Sequence, residues 1–185
     1  MLEIELVFVI GWAAFWLYWL LAAYATKSSQ TAWLRHLAIR AIIVILVIFL
    51  VHRRVARGHA HSLSVDPLRI GLGLALFVAG LGFAIWARVH LGRNWGTPMT
   101  QKSDSELVTS GPYHLVRHPI YFGILAAGVG TVTALLSWTW MTGVCLAGIY
   151  FVYSATMEER YMTKRFPESY PEYKRSTKML MPFIF

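Results

Sequence analysis

The sequence predicts an all-α integral membrane protein with about five transmembrane helices. Three observations support this fold class. The 185-residue chain is 57% hydrophobic and 14% charged, with a mean hydropathy of +0.52, which is more apolar side chain than one soluble core of this size would bury. Five apolar runs are long enough to cross or nearly cross a bilayer. One long polar segment interrupts them, as expected for a loop outside the membrane.

The first apolar run, residues 6–25, contains no charged side chain, and twenty residues of helix span the hydrocarbon layer of roughly 30 Å. The other four runs cover about residues 33–51, 67–89, 119–136 and 138–157. Glycine and alanine recur in the third and fourth runs. We expect these small residues to pack two membrane helices closely rather than to contact a ligand.

The polar segment, residues 91–118, separates the third run from the fourth. Its glycine, proline, asparagine and serine residues predict a loop with at most a short helix, because unpaired backbone cannot lie in lipid. The fourth and fifth runs are joined only by a few residues around Ser137, which predicts a tight antiparallel hairpin. The outer ends of that hairpin therefore meet on one side of the membrane.

The Lys and Arg residues predict the orientation. Five spans place the termini on opposite sides, and with the N-terminus outside, all but four basic residues fall on the cytoplasmic side. The four exceptions are Arg53, Arg54, Arg57 and Arg69. We therefore place the polar segment and the C-terminal tail in the cytoplasm, at the cytoplasmic (inner) membrane. Because the bases flank apolar spans, the net charge of +8 indicates membrane orientation and not nucleic-acid binding.

A candidate site begins in residues 111–123, where ionisable and aromatic side chains gather just before the fourth run. Pro119 suits the first position of a helix, and it forces an extended backbone on His118, so the imidazole lies at a helix N-terminus. A helix N-terminus attracts anions. Arg117 and His118 therefore mark a candidate anion site.

Two acids, Glu158 and Glu159, end the fifth run, and the hairpin returns them to the side where Arg117 and His118 begin the fourth. Acids at the C-terminal end of a helix are unfavourable with its dipole, so we expect a cation to compensate at least one of them. An alternative for one acid is a pair with a base on its own helix. Those bases are Arg160, Lys164 and Arg165.

A helix N-terminus, a carboxylate and nearby aromatic rings suit a zwitterionic ligand with a further positive centre. S-adenosylmethionine has this profile, with a carboxylate, an ammonium, a sulfonium and an adenine. A metal site is the rival hypothesis for His114 and His118, but Pro119 places both outside the helix and no Cys or acid lies nearby in register, so we predict no metal. The single cysteine, Cys145, provides neither a disulfide framework nor a thiolate site.

An ordered set of short motifs fills residues 90–185, about half of the chain. These motifs are Leu91-Gly92-Arg93-Asn94-Trp95, Gly111-Pro112-Tyr113, Val116-Arg117-His118-Pro119-x-Tyr121-x-Gly123, Glu158-Glu159, Phe166-Pro167-x-x-Tyr170-x-x-Tyr173 and Met181-Pro182-Phe183. In this order they resemble the isoprenylcysteine carboxyl methyltransferase family and its prokaryotic relatives. The related phospholipid N-methyltransferases share the looser pattern of His-Pro-x-Tyr-x-Gly and a Glu-Glu pair.

The resemblance implies a multispan helical methyltransferase that takes S-adenosylmethionine from the cytosol, releases S-adenosylhomocysteine and receives a small lipophilic acceptor from the membrane lipid. It implies a cytoplasmic cofactor pocket formed by the loop before the fourth helix and by the C-terminal tail. Residues 1–89 would then be N-terminal transmembrane helices and residues 90–185 the catalytic region, within one structural domain. The implied cofactor-binding residues are Tyr113, Arg117, His118, Pro119, Tyr121, Glu158, Glu159 and Tyr170.

The acceptor decides which residues act in methyl transfer. A carboxylate acceptor is already ionised near neutral pH and needs a cationic anchor, for which Arg93, Arg117 and Arg175 are candidates. An amine or thiol acceptor needs a base, and His118 or a glutamate such as Glu158 would serve. We take Arg117, Arg175 and Glu158 as the candidate catalytic residues.

Two positions depart from the family pattern. Residues 153–157 contain no base where the eukaryotic prenylcysteine enzymes place an arginine, and Pro167 replaces the usual glycine after Phe166. The first departure disfavours prenylcysteine itself and keeps a phospholipid amine, another isoprenoid acid and a small thiol as alternatives. A non-catalytic membrane scaffold is a second class of function, whereas the near absence of ionisable residues from the spans argues against a transporter. The oligomeric state, and which glutamate faces the cofactor, stay open.

Overall fold

The structure is a computed structural model, and it describes residues 2–24, 66–92 and 107–182. The chain divides into two compact units. One unit comprises Met1–Phe15 with Asp66–Phe185, and the other comprises Trp16–Val65, of which the end of the first helix is described. The helices within the described ranges are α1 (Leu2–Tyr24), α2 (Pro67–Leu91), α3 (Pro112–Leu115), α4 (Pro119–Leu135), α5 (Trp138–Arg165) and α6 (Ser169–Ser176).

Three of the described helices are long and apolar enough to cross a membrane: α1 over Glu3–Ala22, α2 over Pro67–Leu91 and α5 over Trp138–Arg165. The fourth apolar helix, α4, has 17 residues and a length of about 26 Å. The described ranges contain no β-strand. The predicted all-α membrane fold is therefore confirmed, while the predicted run at residues 33–51 lies outside the described residues.

Local sequence signals set the helix ends. Asp66 caps α2 by accepting hydrogen bonds from the N–H groups of Leu68 at 3.0 Å and Arg69 at 3.4 Å. Between α4 and α5, Leu136 adopts a left-handed backbone with φ 43°, and the Ser137 hydroxyl caps α5. The predicted tight hairpin of α4 and α5 is thus confirmed.

Helices α2 and α4 pack antiparallel through glycine. A Cβ atom on Gly80 would lie 2.5 Å from Ala127 N and 2.6 Å from Gly123 O, so the two backbones touch. Gly73 and Gly130 meet in the same way, with a Cβ on Gly73 2.7 Å from the Gly130 carbonyl oxygen. Such close approach is typical of small residues between membrane helices. The predicted packing role is confirmed, and it places the C-terminal end of α2 beside the N-terminal end of α4.

The first half of α1 adds an aromatic layer against this helix pair. Trp12 Nε1 donates a hydrogen bond to Thr131 Oγ1 at 3.2 Å, and Thr131 is fully buried. The rings of Phe8 and Phe77 meet edge to face with centroids 4.9 Å apart. Because an unpaired indole N–H is costly in an apolar environment, this hydrogen bond favours one register of α1 against α4.

Helix α5 continues beyond the predicted end of its apolar run. The sequence predicted an end at residue 157, whereas the helix ends at Arg165. Residues 158–165 are mostly good helix formers, so the helix persists after the hydropathy falls. Glu158 and Glu159 therefore lie about two turns before the helix end, where the dipole has little effect. The predicted cations are present beside Glu159, as Arg117 and Lys174, but the helix dipole is not their cause.

Candidate functional site

A buried carboxylate, Glu159, joins three segments at the N-terminal end of α4. Its side chain is 3% exposed, and its two oxygens contact two different cations. Oε1 lies 2.6 Å from Arg117 Nε, and Oε2 lies 2.6 Å from Lys174 Nζ. A carboxylate this deeply buried is stable only with such partners. Glu159 therefore ties the residues before α4 to both α5 and α6.

The tail after α6 pairs with the segment before α4. The N–H groups of Arg117 and His118 donate to the carbonyl oxygens of Lys178 at 2.9 Å and Met179 at 3.1 Å. The Arg117 guanidinium also donates to the carbonyl oxygen of Thr177. Backbone and side chain of one residue thus hold the tail, so the position of Arg117 depends on the tail being in place.

The second acid, Glu158, has different partners. The Tyr121 hydroxyl donates to Glu158 Oε1 at 2.5 Å, and His118 Nδ1 lies 3.4 Å from Oε2. The Glu158 side chain is 27% exposed, in contrast to the buried Glu159. Residues 118 and 121 are three apart at the start of α4, so their side chains reach the same carboxylate.

His118 is buried beside both acids. It is the N-cap residue of α4, with Pro119 at the first helical position as predicted, but the imidazole forms no capping hydrogen bond. The side chain is 9% exposed, and Nε2 has no hydrogen-bond partner among the described residues, with Glu159 Oε1 3.7 Å away. Burial alone would lower the pKa of the imidazole, but the carboxylates of Glu158 and Glu159 outweigh burial and raise the pKa above its usual 6.5. The ring therefore holds an unused donor.

Three buried tyrosines surround this cluster on the tail side. The Tyr173 hydroxyl donates to the Tyr113 carbonyl oxygen at 2.6 Å. The rings of Tyr170 and Tyr173 meet edge to face with centroids 6.0 Å apart. Burial raises the pKa of all three phenols, so they remain protonated at neutral pH. They are suited to donate hydrogen bonds and to form apolar walls, not to act as bases.

Most of the predicted site residues lie in one place. The residues in direct contact there are Arg117, His118, Tyr121, Glu158 and Glu159. Tyr113, Pro119 and Tyr170 are buried around them, whereas Arg175 is exposed on α6. Within the described ranges, no three His, Cys, Asp or Glu side chains gather as a metal site. The predicted convergence of α4 and α5 at their polar ends is confirmed.

Two residues of the cluster were not predicted. Lys174 reaches Glu159, and Phe151 stacks on Tyr121 with ring centroids 4.5 Å apart. The sequence places Lys174 four residues after Tyr170, on the same side of a helix, but only tertiary packing turns that side towards Glu159. Neither acid forms an ion pair along α5 within the described residues, and Arg93 lies outside them.

Comparison with known families matches residues 68–169, more than half of the chain, to a family described as phospholipid methyltransferase. The chain belongs to the phospholipid methyltransferase family. The matched residues extend from the start of α2 to the start of α6. They include the glycine-packed helix pair, the hairpin and both glutamates, so the family match covers the cluster described above except for the residues of α6 and of the tail.

Curated relatives of this methyltransferase-family chain include metal-resistance proteins, protein-S-isoprenylcysteine O-methyltransferases and a steroid 5-alpha-reductase. The cobalt-zinc-cadmium resistance protein CzcN of Cupriavidus metallidurans is 34% identical over 123 residues, which are 64% of this chain and 51% of that protein. The protein-S-isoprenylcysteine O-methyltransferase of Xenopus laevis is 34% identical over 116 residues, 61% of this chain and 40% of that protein. The chain thus spans about half the length, or less, of these relatives.

A solved structure has a similar fold. It is the eukaryotic intramembrane Ras methyltransferase ICMT, an isoprenylcysteine carboxyl methyltransferase, with a TM-score of 0.58 and 21% identity, covering 85% of this chain and 55% of that chain. At this identity the similarity shows the fold alone. The family match, the relatives and this structure together confirm the resemblance to isoprenylcysteine carboxyl methyltransferases found in the sequence.

Proposed function

We propose that the protein is a membrane methyltransferase that uses S-adenosylmethionine and methylates a small lipophilic acceptor, with the carboxylate of an isoprenylcysteine-like molecule as the first candidate. The observation that carries the proposal is the pair of His118 and Glu158. A buried imidazole with an unpartnered Nε2 lies 3.4 Å from a partly open carboxylate at the start of an apolar helix. Family membership supports the reaction class.

The groups around His118 suit S-adenosylmethionine. A protonated imidazole offers its Nε2 proton, and the first turn of α4 offers N–H groups that no side chain caps. Both favour the carboxylate of the ligand. Glu158, held by Tyr121, favours an ammonium or a ribose hydroxyl. The buried rings of Tyr113 and Tyr170 are suited to contact the sulfonium and the adenine.

Of the two adjacent glutamates, we assign Glu158 to the cofactor. Both oxygens of Glu159 already contact cations at 2.6 Å, and its side chain is closed to solvent. Glu158 keeps part of its surface open, and a ligand cation would replace water there rather than a protein partner. Glu159 then acts by positioning Arg117 and the tail, which closes the same site.

When bound, S-adenosylmethionine supplies a methyl group whose bond to sulfur breaks as a lone pair of the acceptor forms the new bond, and the electron pair left on sulfur gives neutral S-adenosylhomocysteine. The residues of the chain align the acceptor and exclude water. For a carboxylate acceptor, Arg117 is already engaged by Glu159 and the tail, so Arg175 is the open one of the two candidate cations that lie within the described residues. For an amine acceptor, Glu158 would accept the proton that is lost.

We place the site at the cytoplasmic face of the inner membrane, with the N-terminus outside and the C-terminus in the cytoplasm. The excess of Lys and Arg in the segments that would lie inside supports this orientation. Residues 1–89 then supply transmembrane helices and residues 90–185 the catalytic region. The acceptor would come from the membrane lipid and the cofactor from the aqueous side.

Calorimetric titration of the detergent-solubilised protein with S-adenosylmethionine and S-adenosylhomocysteine tests this proposal. We expect binding to the wild type, loss of binding in His118→Ala and in Glu158→Gln, and unchanged binding in His114→Ala, a matched control because His114 is exposed on α3. Equal binding by wild type and His118→Ala would overturn the assigned site. No binding by folded wild type would favour a non-catalytic scaffold with the family fold.

The acceptor is tested separately, with labelled methyl groups. An S-prenylated N-acetylcysteine, a phosphatidylethanolamine and a small alkyl thiol represent the carboxylate, amine and thiol classes. We expect label in the prenylated acid, because its carboxylate is already ionised near neutral pH and needs no base, whereas an amine or thiol must first lose a proton. Label in the phospholipid alone would replace the carboxylate assignment by the amine alternative while leaving the cofactor site intact.

A further inference from the structure

An aromatic stack connects the cofactor cluster to the apolar part of α5. The ring of Tyr121 stacks with the rings of His118 and Phe151, with centroids 5.5 Å and 4.5 Å away, and both pairs deviate from parallel by only 6°. Tyr121 is the member of this stack whose hydroxyl binds Glu158. Its ring is therefore held by two stacked neighbours while its hydroxyl contacts the proposed ligand-binding acid.

Helix α5 supplies two of these contacts from one face. Phe151 and Glu158 are seven residues apart, which is about two turns of helix, so their side chains project to the same side. Phe151 packs against the face of the Tyr121 ring, and Glu158 accepts from its hydroxyl at 2.5 Å. Tyr121 thus connects two turns of α5. A change at the ring contact with Phe151 is therefore expected to alter the hydrogen bond to Glu158.

We propose that Phe151 is a positioning residue for the methyl-transfer site, acting through Tyr121 on the Glu158 carboxylate. As far as ligand binding is concerned, this inference rests on the proposed function. Within the stack, Phe151 packs on the Tyr121 ring, and Tyr121 in turn binds Glu158, so the effect of Phe151 on a ligand passes through the tyrosine. Nothing in the sequence motifs marks it, because it lies within the apolar run that precedes the Glu-Glu pair.

The physical basis is the angular sensitivity of a short hydrogen bond. Hydrogen bonds weaken steeply as the donor turns away from the acceptor. Without the Phe151 ring, Tyr121 loses the nearer of its two stacked neighbours, and rotation about its side-chain bonds would carry the hydroxyl away from Glu158. The Glu158 carboxylate would then lose the hydroxyl donor that fixes its orientation, and it would bind a ligand cation more weakly.

A double-mutant cycle on S-adenosylhomocysteine affinity tests the proposal. We expect Phe151→Leu and Tyr121→Phe each to weaken binding about tenfold, since each removes or misdirects a hydrogen bond to a charged group. The double variant is expected to bind no worse than Tyr121→Phe alone, because Phe151 acts only through the tyrosine hydroxyl. Phe151→Tyr keeps the ring and is expected to retain wild-type affinity.

The matched control is Ile149→Ala, which also removes apolar side chain from α5 but at a residue that is 69% exposed. It is expected to bind S-adenosylhomocysteine as the wild type does. Losses that multiply in the double variant would overturn the proposal, because they would show that Phe151 acts independently of Tyr121. Unchanged affinity of Phe151→Leu would overturn it as well.

A second arm uses no ligand, so it separates this inference from the proposed function. Thermal unfolding of the four proteins of the cycle is measured in detergent. We expect Tyr121→Phe to lower the unfolding temperature in the wild-type background and to have little further effect in Phe151→Leu. If wild type bound no S-adenosylhomocysteine, the cofactor assignment would fail while this arm still decided the positioning role. Additive temperature shifts would refute the positioning role itself.

Discussion

Helix α4 takes part in two contact regions of different chemistry, one made of glycine backbone and one made of charged side chains. Along its length it meets α2 through glycines whose backbones touch, with no side chain between them at Gly80 and Gly123. At its N-terminal end it meets α5 and the tail through a buried carboxylate with two cations. The first region depends on shape alone, and the second depends on charge and hydrogen bonding.

The difference shows how a membrane protein can carry an ionic site. Dispersion between close backbones needs no polar group and is unaffected by pH or salt, so it suits the part inside the hydrocarbon layer. A buried ion cluster is stable only when every charge has a partner, and it can exchange a partner for a ligand. The glycine contact therefore fixes the position of α4 beside α2, and the charged cluster forms at the end of α4 that is held in this way.

Of the changes considered for these two regions, a larger side chain at Gly80 should have the largest effect on folding. A side chain there would meet the backbone of α4 at 2.5 Å and 2.6 Å, and backbone atoms cannot move aside as a flexible side chain can. We expect Gly80→Leu to give no folded protein by size-exclusion chromatography in detergent. The control is Gly82→Leu on the same helix, because a Cβ at Gly82 meets nothing within 4 Å. Equal yields of the two variants would show that close packing is not what holds α2 to α4.

Removing the charge of Glu159 should have the next largest effect. The variant Glu159→Gln leaves the buried Arg117 without its carboxylate, which costs about 3 kcal/mol or more. We expect a lower unfolding temperature and rapid tryptic cleavage at the bases of the tail. Glu172→Gln, at an exposed acid of α6, is the control. A tail that resists trypsin in Glu159→Gln would mean that the charge of Glu159 is not needed to hold it.

The fold was predictable where hydropathy decides it. Apolar runs located α1, α2, α4 and α5, and the short connection at Ser137 predicted the hairpin, because a membrane span must be apolar and helical over a known length. The end of α5 at Arg165 was not predicted, because residues 158–165 are polar and are held by helix propensity and by pairing with other segments. Hydropathy contains no information on a helix that continues outside the membrane.

The candidate site was predictable in part. The contact between Arg117 and Glu159 follows from the hairpin of α4 and α5, which brings the polar end of α5 back to the N-terminal end of α4. The choice between Lys174 and Arg175 does not follow from composition, since both are bases on a short polar helix. Burial of Tyr170 decides between the two bases, because Lys174, four positions later, lies on the same helix face as Tyr170, whereas Arg175 does not. That burial depends on tertiary packing, which the sequence alone did not reveal.

A third prediction concerns pH and sharpens the contrast between the two regions. The pKa of His118 is raised in the folded protein, so its contribution to stability is full below the unfolded value of 6.5 and is lost as pH rises through the higher folded value. We expect the difference in unfolding temperature between wild type and His118→Gln to shrink as pH increases from about 5 to 9. Gly82→Leu serves as a control whose difference should not change. A constant difference for His118→Gln would show that the imidazole does not titrate with its acids.

The smallest effect is expected at the outer edge of the charged cluster, where Lys174 and Arg175 are neighbours with different surroundings. Lys174 is 49% exposed and pairs with Glu159, so Lys174→Met should lower stability by about 0.5 to 1 kcal/mol. Arg175 is exposed, and Arg175→Met should leave the unfolding temperature unchanged. Methyl transfer to an S-prenylated N-acetylcysteine should show the reverse ranking if Arg175 anchors the acceptor carboxylate, with a raised KM in Arg175→Met. If Arg175→Met lost as much stability as Lys174→Met, both bases would have a structural role in the charged cluster. Arg175 would then no longer be a candidate for the acceptor site.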